Sequence, residues 1–139
     1  MDASFEEKSV WIQLISVVLG LGAYFVVAGI MVANGITVLP AFVPLFIAAI
    51  VLQVVVLVIG HAAVAIVSRT DGRDERDRLI EWRAESNSSW ILGAGVVMAI
   101  CGLIVSVDVV WIAHFLLVSL LIAEIAKLGS QLVYYRRGV

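Results

Sequence analysis

Four long runs of apolar residues, separated by short polar breaks, organise the 139-residue chain. The first covers residues 10–33 and is interrupted only by Gln13, Ser16 and Tyr24. At a helical rise of about 1.5 Å per residue it is long enough to cross roughly 30 Å of hydrocarbon. It ends at Asn34-Gly35, a turn signal. The second run begins near Pro40 and Pro44, where proline is tolerated in the first turn of a helix, covers residues 41–67 and stops at Ser68-Arg69.

Most of the charge lies in residues 69–89. Asp71 is placed to cap a helix whose first turns carry Asp74 and Glu75, acids favoured there by unpaired amides and the helix dipole. No Gly or Pro interrupts the chain from Arg73 to Gly93, so the pattern predicts one helix over 73–106. Its first turns are wet, and from Ser88 it becomes a third span over 88–106. Trp82 and Trp90 fall at headgroup level, where an indole satisfies both its ring and its N–H. Asp108 marks a short turn, a fourth span follows over 109–134, and Tyr134, Tyr135, Arg136 and Arg137 form an aromatic and basic stop. The predicted fold is all-α: an integral membrane four-helix bundle in a single domain over 1–139. A charged amphipathic helix in the 69–87 segment extends its third span into the cytoplasm.

Composition agrees with this pattern. Hydrophobic residues make up 63% and charged residues 14%, against about 45–50% and about 25% in soluble domains. This excludes an ordinary water-soluble globule and leaves no room for a second, soluble catalytic domain. A net charge of -2 offers no excess of cations to a phosphate backbone, so nucleic acid is not an expected partner. The single cysteine, Cys101, cannot form an intrachain disulfide. Asp2, Glu6 and Glu7 outweigh Lys8 before an apolar run too long for a signal-peptide core, so the first segment is expected to stay as a span. The middle loop carries Arg69, Arg73, Arg76, Arg78 and Arg83, the C-terminal end carries Arg136 and Arg137, and the two opposite turns carry no Lys or Arg. Both termini are therefore expected on the cytoplasmic side. No repeat is apparent, and the pairs Gly29 with Ala33 and Gly95 with Ala99 suit close helix contacts in lipid.

The informative residues are those that lipid excludes. Counted inward from Arg136, Lys127 lies about 13 Å and Glu124 about 18 Å deep. Glu124, Lys127 and Gln131 follow an i, i+3, i+7 spacing, which puts them on one helix stripe that must face protein. His61 lies about 12 Å from Arg69, and Ser16 comes to a similar level. Ser16, His61, Glu124, Lys127 and Gln131 thus form a candidate intramembrane polar cluster. One reading is a proton or ion site. The other is an internal Glu124 to Lys127 ion pair, with His61 and Gln131 satisfying leftover hydrogen bonds.

Metals and cofactors find little support. His114 lies about 33 Å from Arg136, at the opposite depth to His61, so one chain cannot place both on a haem iron. That leaves only a pair of His61 residues across a homodimer axis, and no cofactor is expected. Asp71, Asp74, Glu75 and Asp77 could attract a hard cation, but their order is wrong for an EF-hand and arginines are interleaved. The i, i+4 pairs Arg73 with Asp77 and Asp74 with Arg78 read instead as a solvated, salt-bridged helix, and no metal site is expected. No Gly-x-Ser-x-Gly elbow, His-Glu-x-x-His pair, Walker loop or dinucleotide fingerprint occurs.

The stretch 74–81 (DERDRLIE) before the third span, Glu124, and the ending 131–138 (QLVYYRRG) resemble a group of small uncharacterised bacterial inner-membrane proteins with four spans. The resemblance covers about half of the chain, its C-terminal part. It implies a bacterial inner-membrane location and a four-span count, and it brings no activity with it.

The chain therefore reads as a non-enzymatic membrane protein that acts as an accessory, assembly or regulatory subunit, with Asp74, Arg78 and Glu81 as its contact with a partner. Its surroundings are the lipid bilayer and either a second copy or another membrane protein. The alternative is a small homodimeric ion- or proton-coupled transporter that uses Glu124, His61 and Gln131. Asn34, Gln53, His114 and Asp108 would then supply the outer half of its path.

Overall fold

The computed structural model describes residues 5–67 and 75–137. Its elements are helices α1 (Phe5–Ala33), α2 (Val43–Val67), α3 (Glu75–Ile104) and α4 (Val109–Arg137), with a 3-10 turn at Leu39–Phe42. No strand occurs among the described residues. All four helices are long and apolar enough to cross a membrane. The expected cap at Asp71 and the expected helix start at Arg73 lie outside the described residues, as does Asp74.

The helices outrun the apolar stretches that announce them. α1 begins at Phe5 and carries Glu6 and Glu7 in its first turn, and α4 continues to Arg137 with Arg136 in its last. Both placements match the helix dipole, so backbone hydrogen bonding continues past the end of the apolar surface. At the other end, Pro40 sits in the 3-10 turn and α2 starts at Val43, because a proline without an amide proton is accommodated where no intrahelical bond is yet required.

The two tight turns at the end remote from the termini are closed in the same way. After α1, Gly35 takes φ 83°, its amide donates to the Val32 carbonyl at 2.9 Å, and that of Ile36 donates to Met31 at 3.0 Å. After α3, Ser106 takes φ 61°, its amide donates to Leu103 at 3.1 Å, and that of Val107 donates to Gly102 at 2.9 Å. Each is a Schellman closure, with the left-handed residue one position past the helix cap.

Packing follows three seams: α1 against α2, α1 against α4, and α3 against α4. α2 and α3 share no comparable seam, so the four-helix bundle is open on that side. On α1, the buried residues Val10, Val17, Leu21, Tyr24 and Ala28 follow a seven-residue alternation. Val10, Val17 and Leu21 meet Leu128 and Leu132 of α4 in one core cluster. Tyr24 and Ala28 meet Phe42, Ala49 and Val110 in another, near the tight turns.

Close approach depends on glycine at two seams. A Cβ on Gly20 would come within 2.7 Å of Gln53 Cβ on α2, and one on Gly95 within 2.5 Å of Ser119 Cβ on α4. Of the two expected small-residue pairs, Gly95 and Ala99 are both buried, whereas Gly29 and Ala33 are exposed and Gly29 has nothing near its missing Cβ. Spacing alone does not say which side of a helix meets a neighbour.

Candidate functional site

α4 lines the interior with the arc between its two seams, and that arc carries Leu120, Glu124, Lys127 and Gln131. Leu120 and Glu124, one turn apart, both line two neighbouring cavities. The first, about 540 Å³, lies between α1, α2 and α4, and its polar lining is Gln13, Ser16, Gln53, His61 and Glu124. The second, about 410 Å³, lies between α3 and α4 and includes Glu85, Ser88, Ser89 and Lys127.

Three of the expected cluster residues, Ser16, His61 and Glu124, therefore share one cavity. Lys127 lies in the adjoining one, and Gln131 is buried on α4 and lines neither. The expected Glu124 to Lys127 pair does not form. Lys127 Nζ lies 2.7 Å from Glu85 Oε2 on α3, which sequence spacing could not bring into view because the two residues are on different helices. Glu124 is half-buried and makes no ion pair or hydrogen bond among the described residues, although it stays within electrostatic range of Lys127.

His61 is fixed at both ring nitrogens. Nδ1 lies 2.9 Å from the Leu57 carbonyl, which can only accept, so Nδ1 carries the proton. Nε2 then accepts from the Ser9 hydroxyl at 2.8 Å, and the Gln13 amide donates to Ser9 Oγ at 3.4 Å. This short relay, Gln13 to Ser9 to His61, runs along the cavity wall at its end nearest the chain terminus. The Ser16 hydroxyl is turned away from it and donates to the Gln13 carbonyl at 2.8 Å.

Gln13, Gln53 and Ser9 have roles here that a span-by-span reading does not assign. Gln53 and His61 are two turns apart on α2, and Gln13 and Ser16 are one turn apart on α1, spacings that put each pair on one face. The register of α1 on α2, set by the close approach at Gly20, brings the two faces together. Gln53 thus lines the same cavity as Glu124.

The other end of the bundle is differently filled. His114 Nδ1 donates to the Val110 carbonyl at 2.7 Å, and its Nε2 accepts from the Tyr24 hydroxyl at 3.2 Å. Its ring stacks on Tyr24 with centroids 5.7 Å apart and meets Phe42 edge-on at 4.7 Å. Ser9 and Tyr24 are 15 positions apart on α1, about 22 Å of helix, so the two histidines attached to them do not converge. Among the described residues, no three His, Cys, Asp or Glu side chains gather closely enough to hold a metal ion.

The charged turns of α3 lie beside the last turns of α4 and do not stand alone. Ile80 and Ala84 are fully buried, Tyr135 Oη donates to Asp77 Oδ1 at 3.1 Å, and Asn87 Nδ2 donates to Tyr134 Oη at 2.8 Å. Arg136 of α4 reaches Glu7 of α1 at 3.8 Å across the same end. Of the expected partner-binding residues, Arg78 is exposed, Glu81 is half-buried, and Asp74 lies outside the described residues. Comparison with known proteins finds no family model, no curated protein and no solved structure that matches the chain.

Proposed function

We propose that the protein is a small proton- or cation-coupled transporter of the bacterial inner membrane, working as a homodimer, with Glu124 as the group that takes up and releases the charge. The observation that carries this reading is the carboxyl group itself, half-buried in an apolar helix and unpartnered among the described residues, opening onto a cavity of about 540 Å³ beside Gln13, Gln53 and His61. A carboxylate in a low-dielectric medium is costly, and taking up a proton or a cation in alternation relieves that cost. That alternation is the chemical capacity that ion coupling requires.

Exposed tryptophans at both levels of the bundle support a membrane setting. Trp11 and Trp82 belong to the end with the charged residues, Trp111 stands beside the opposite turn, and Trp90 lies halfway along α3. The arginines gathered at the first end favour a cytoplasmic placement for both termini. The likeness of residues 74–81 and 131–138 to four-span bacterial inner-membrane proteins supports the same compartment. A side left open between α2 and α3 is where a second copy would complete the bundle.

Proton flux into vesicles reconstituted with the protein, under an imposed pH gradient and with an exchangeable cation supplied, tests this function. The parent is expected to conduct and Glu124→Gln to fall to the level of empty vesicles. Equal flux through both would overturn the assignment.

A second reading, as a non-enzymatic accessory subunit, rests on the face of α3 turned away from α4, where Arg78, Leu79 and Trp82 are exposed. Under that reading, replacing Asp74, Arg78 and Glu81 together releases a partner otherwise recovered in mild detergent. An unchanged set of recovered proteins counts against it.

A further inference from the structure

The Glu124 cavity is far larger than one ion. At about 540 Å³ it falls in the range of roughly 300–1,000 Å³ that small organic ligands occupy. A hard inorganic cation seeks about six to eight oxygen ligands at short range. The cavity offers one carboxylate and the carboxamides of Gln13 and Gln53, and the rest of its wall is mainly Leu, Ile and Val side chains with Phe46. An inorganic ion there would be poorly coordinated.

The same wall suits a different guest. Leu21, Ile50, Leu57 and Leu120 present apolar surface, Glu124 supplies one negative charge, and Phe46 offers an aromatic ring able to stabilise a cation. Gln53 makes no hydrogen bond among the described residues and is not fully buried, so its carboxamide is free to receive a polar substituent. The ring nitrogens of His61 are taken up by Ser9 and the Leu57 carbonyl, and the Lys127 ammonium lies in the adjoining cavity, 2.7 Å from Glu85, while still within electrostatic range of Glu124.

Resting on the transport reading above, we infer that the cavity binds a lipophilic organic cation, such as an ammonium with apolar substituents, in exchange for the proton on Glu124. The exchange balances. The cation enters with one positive charge as the carboxyl group releases one proton to water, and reprotonation expels the cation. Burial of the apolar substituents against leucine and isoleucine supplies the affinity, and the carboxylate supplies the selectivity for charge.

Binding of tetraphenylphosphonium to the purified full-length protein in detergent, followed by equilibrium dialysis across a pH series, tests the inference. The parent is expected to bind saturably, with affinity falling as acid protonates Glu124. Glu124→Gln is expected to weaken binding roughly thirtyfold or more, as loss of one member of a buried charge pair does. Phe46→Leu should weaken it about threefold while leaving the charge in place. Sodium or potassium at equal concentration should not displace the probe. Equal binding by parent and Glu124→Gln would show partition into apolar surface alone and overturn the inference. Displacement by sodium or potassium would overturn it in favour of an inorganic ion. A parent that conducts protons in vesicles but binds no tetraphenylphosphonium would overturn the organic cation and leave the transport function standing. If Glu124→Gln does not fold, Gln53→Leu is the second variant: unchanged affinity and an unchanged pH series in both Gln53→Leu and Phe46→Leu would also overturn it.

Discussion

His61 and His114 are held alike and placed in unlike surroundings. Each donates Nδ1–H to the carbonyl four residues earlier on its own helix and accepts a hydroxyl proton from α1 at Nε2, Ser9 in one case and Tyr24 in the other. Around His114 stand the buried rings of Tyr24 and Phe42, with Phe25 and Phe46 packed on Tyr24, and the cavity of about 620 Å³ that it borders has an otherwise apolar wall that includes Phe25, Met98 and Trp111. Around His61 the space is a cavity with Gln13, Gln53 and Glu124 on its wall. The same histidine clasp thus serves as a rivet at one end and as part of a polar lining at the other. What distinguishes them is the wall beside the ring, apolar in the cavity at His114 and carrying Gln13, Gln53 and Glu124 in the one at His61.

Phe46 stands between the two regions. It lines the Glu124 cavity and also a pocket of about 370 Å³ towards the tight turns, bounded by Leu39, Phe42, Leu116 and Leu117. If the aromatic end is a closure, shortening Phe46 should join the two spaces. With Cys101 replaced by Ala and a cysteine introduced by Gln53→Cys, a membrane-impermeant thiol reagent added on the side opposite the termini should label nothing in the parent background. It should label fully once Phe46→Ala is added. Equal labelling in both backgrounds would break the contrast between an open and a closed end.

The seams should respond next most strongly. Gly95→Val places a branched side chain where Ser119 already stands 2.5 Å from the missing Cβ, and overpacking of this kind costs about 3 kcal/mol at the upper end of its usual range. Gly29→Ala meets nothing within 4 Å and should be neutral or gain up to about 1 kcal/mol from helix propensity. Thermal unfolding in detergent, read by circular dichroism, would separate these. A destabilisation at Gly29 as large as that at Gly95 would contradict the packing.

The histidines test the contrast directly. His114→Ala removes a hydrogen bond worth about 1 kcal/mol and aromatic contacts worth about as much again, for a loss near 2 kcal/mol. His61→Ala removes comparable hydrogen bonds but no aromatic contact, so its loss should be about 1 kcal/mol. Equal losses would mean that the clasp at His61 is as structural as the one at His114.

Much of this fold was legible because each span is a long apolar run, and a long run bounded by turn signals needs no knowledge of neighbours. Helix ends were less so, since Glu6, Glu7 and Arg136 stay helical after apolar character ends. The stripe of Glu124, Lys127 and Gln131 was legible as one that faces protein, because helical spacing fixes the angle between residues of one helix. Its partners were not. Glu85 takes Lys127 from another helix, and Gln53 reaches the Glu124 cavity through a register fixed by Gly20. Contacts between helices depend on rotation and register, which single-helix periodicity does not encode.

The smallest effect concerns the turns that hold the closed end. Gly35 and Ser106 occupy equivalent left-handed positions, but only Gly35 lacks the Cβ that clashes there. Ser106 bears a penalty of about 1 kcal/mol for its conformation. Ser106→Gly relieves it while loosening the unfolded chain, and these opposed effects should leave a net gain of about 0.5 kcal/mol. Gly35→Ala introduces the same penalty with no hydrogen bond lost, and should cost about 1 kcal/mol. Because both turns lie at the aromatic end, neither change should alter proton flux or tetraphenylphosphonium affinity, even as both shift the unfolding temperature. A turn variant that changed the affinity would show that the Glu124 cavity feels the geometry of the far end. The aromatic region would then be part of the binding device and no longer only its closure.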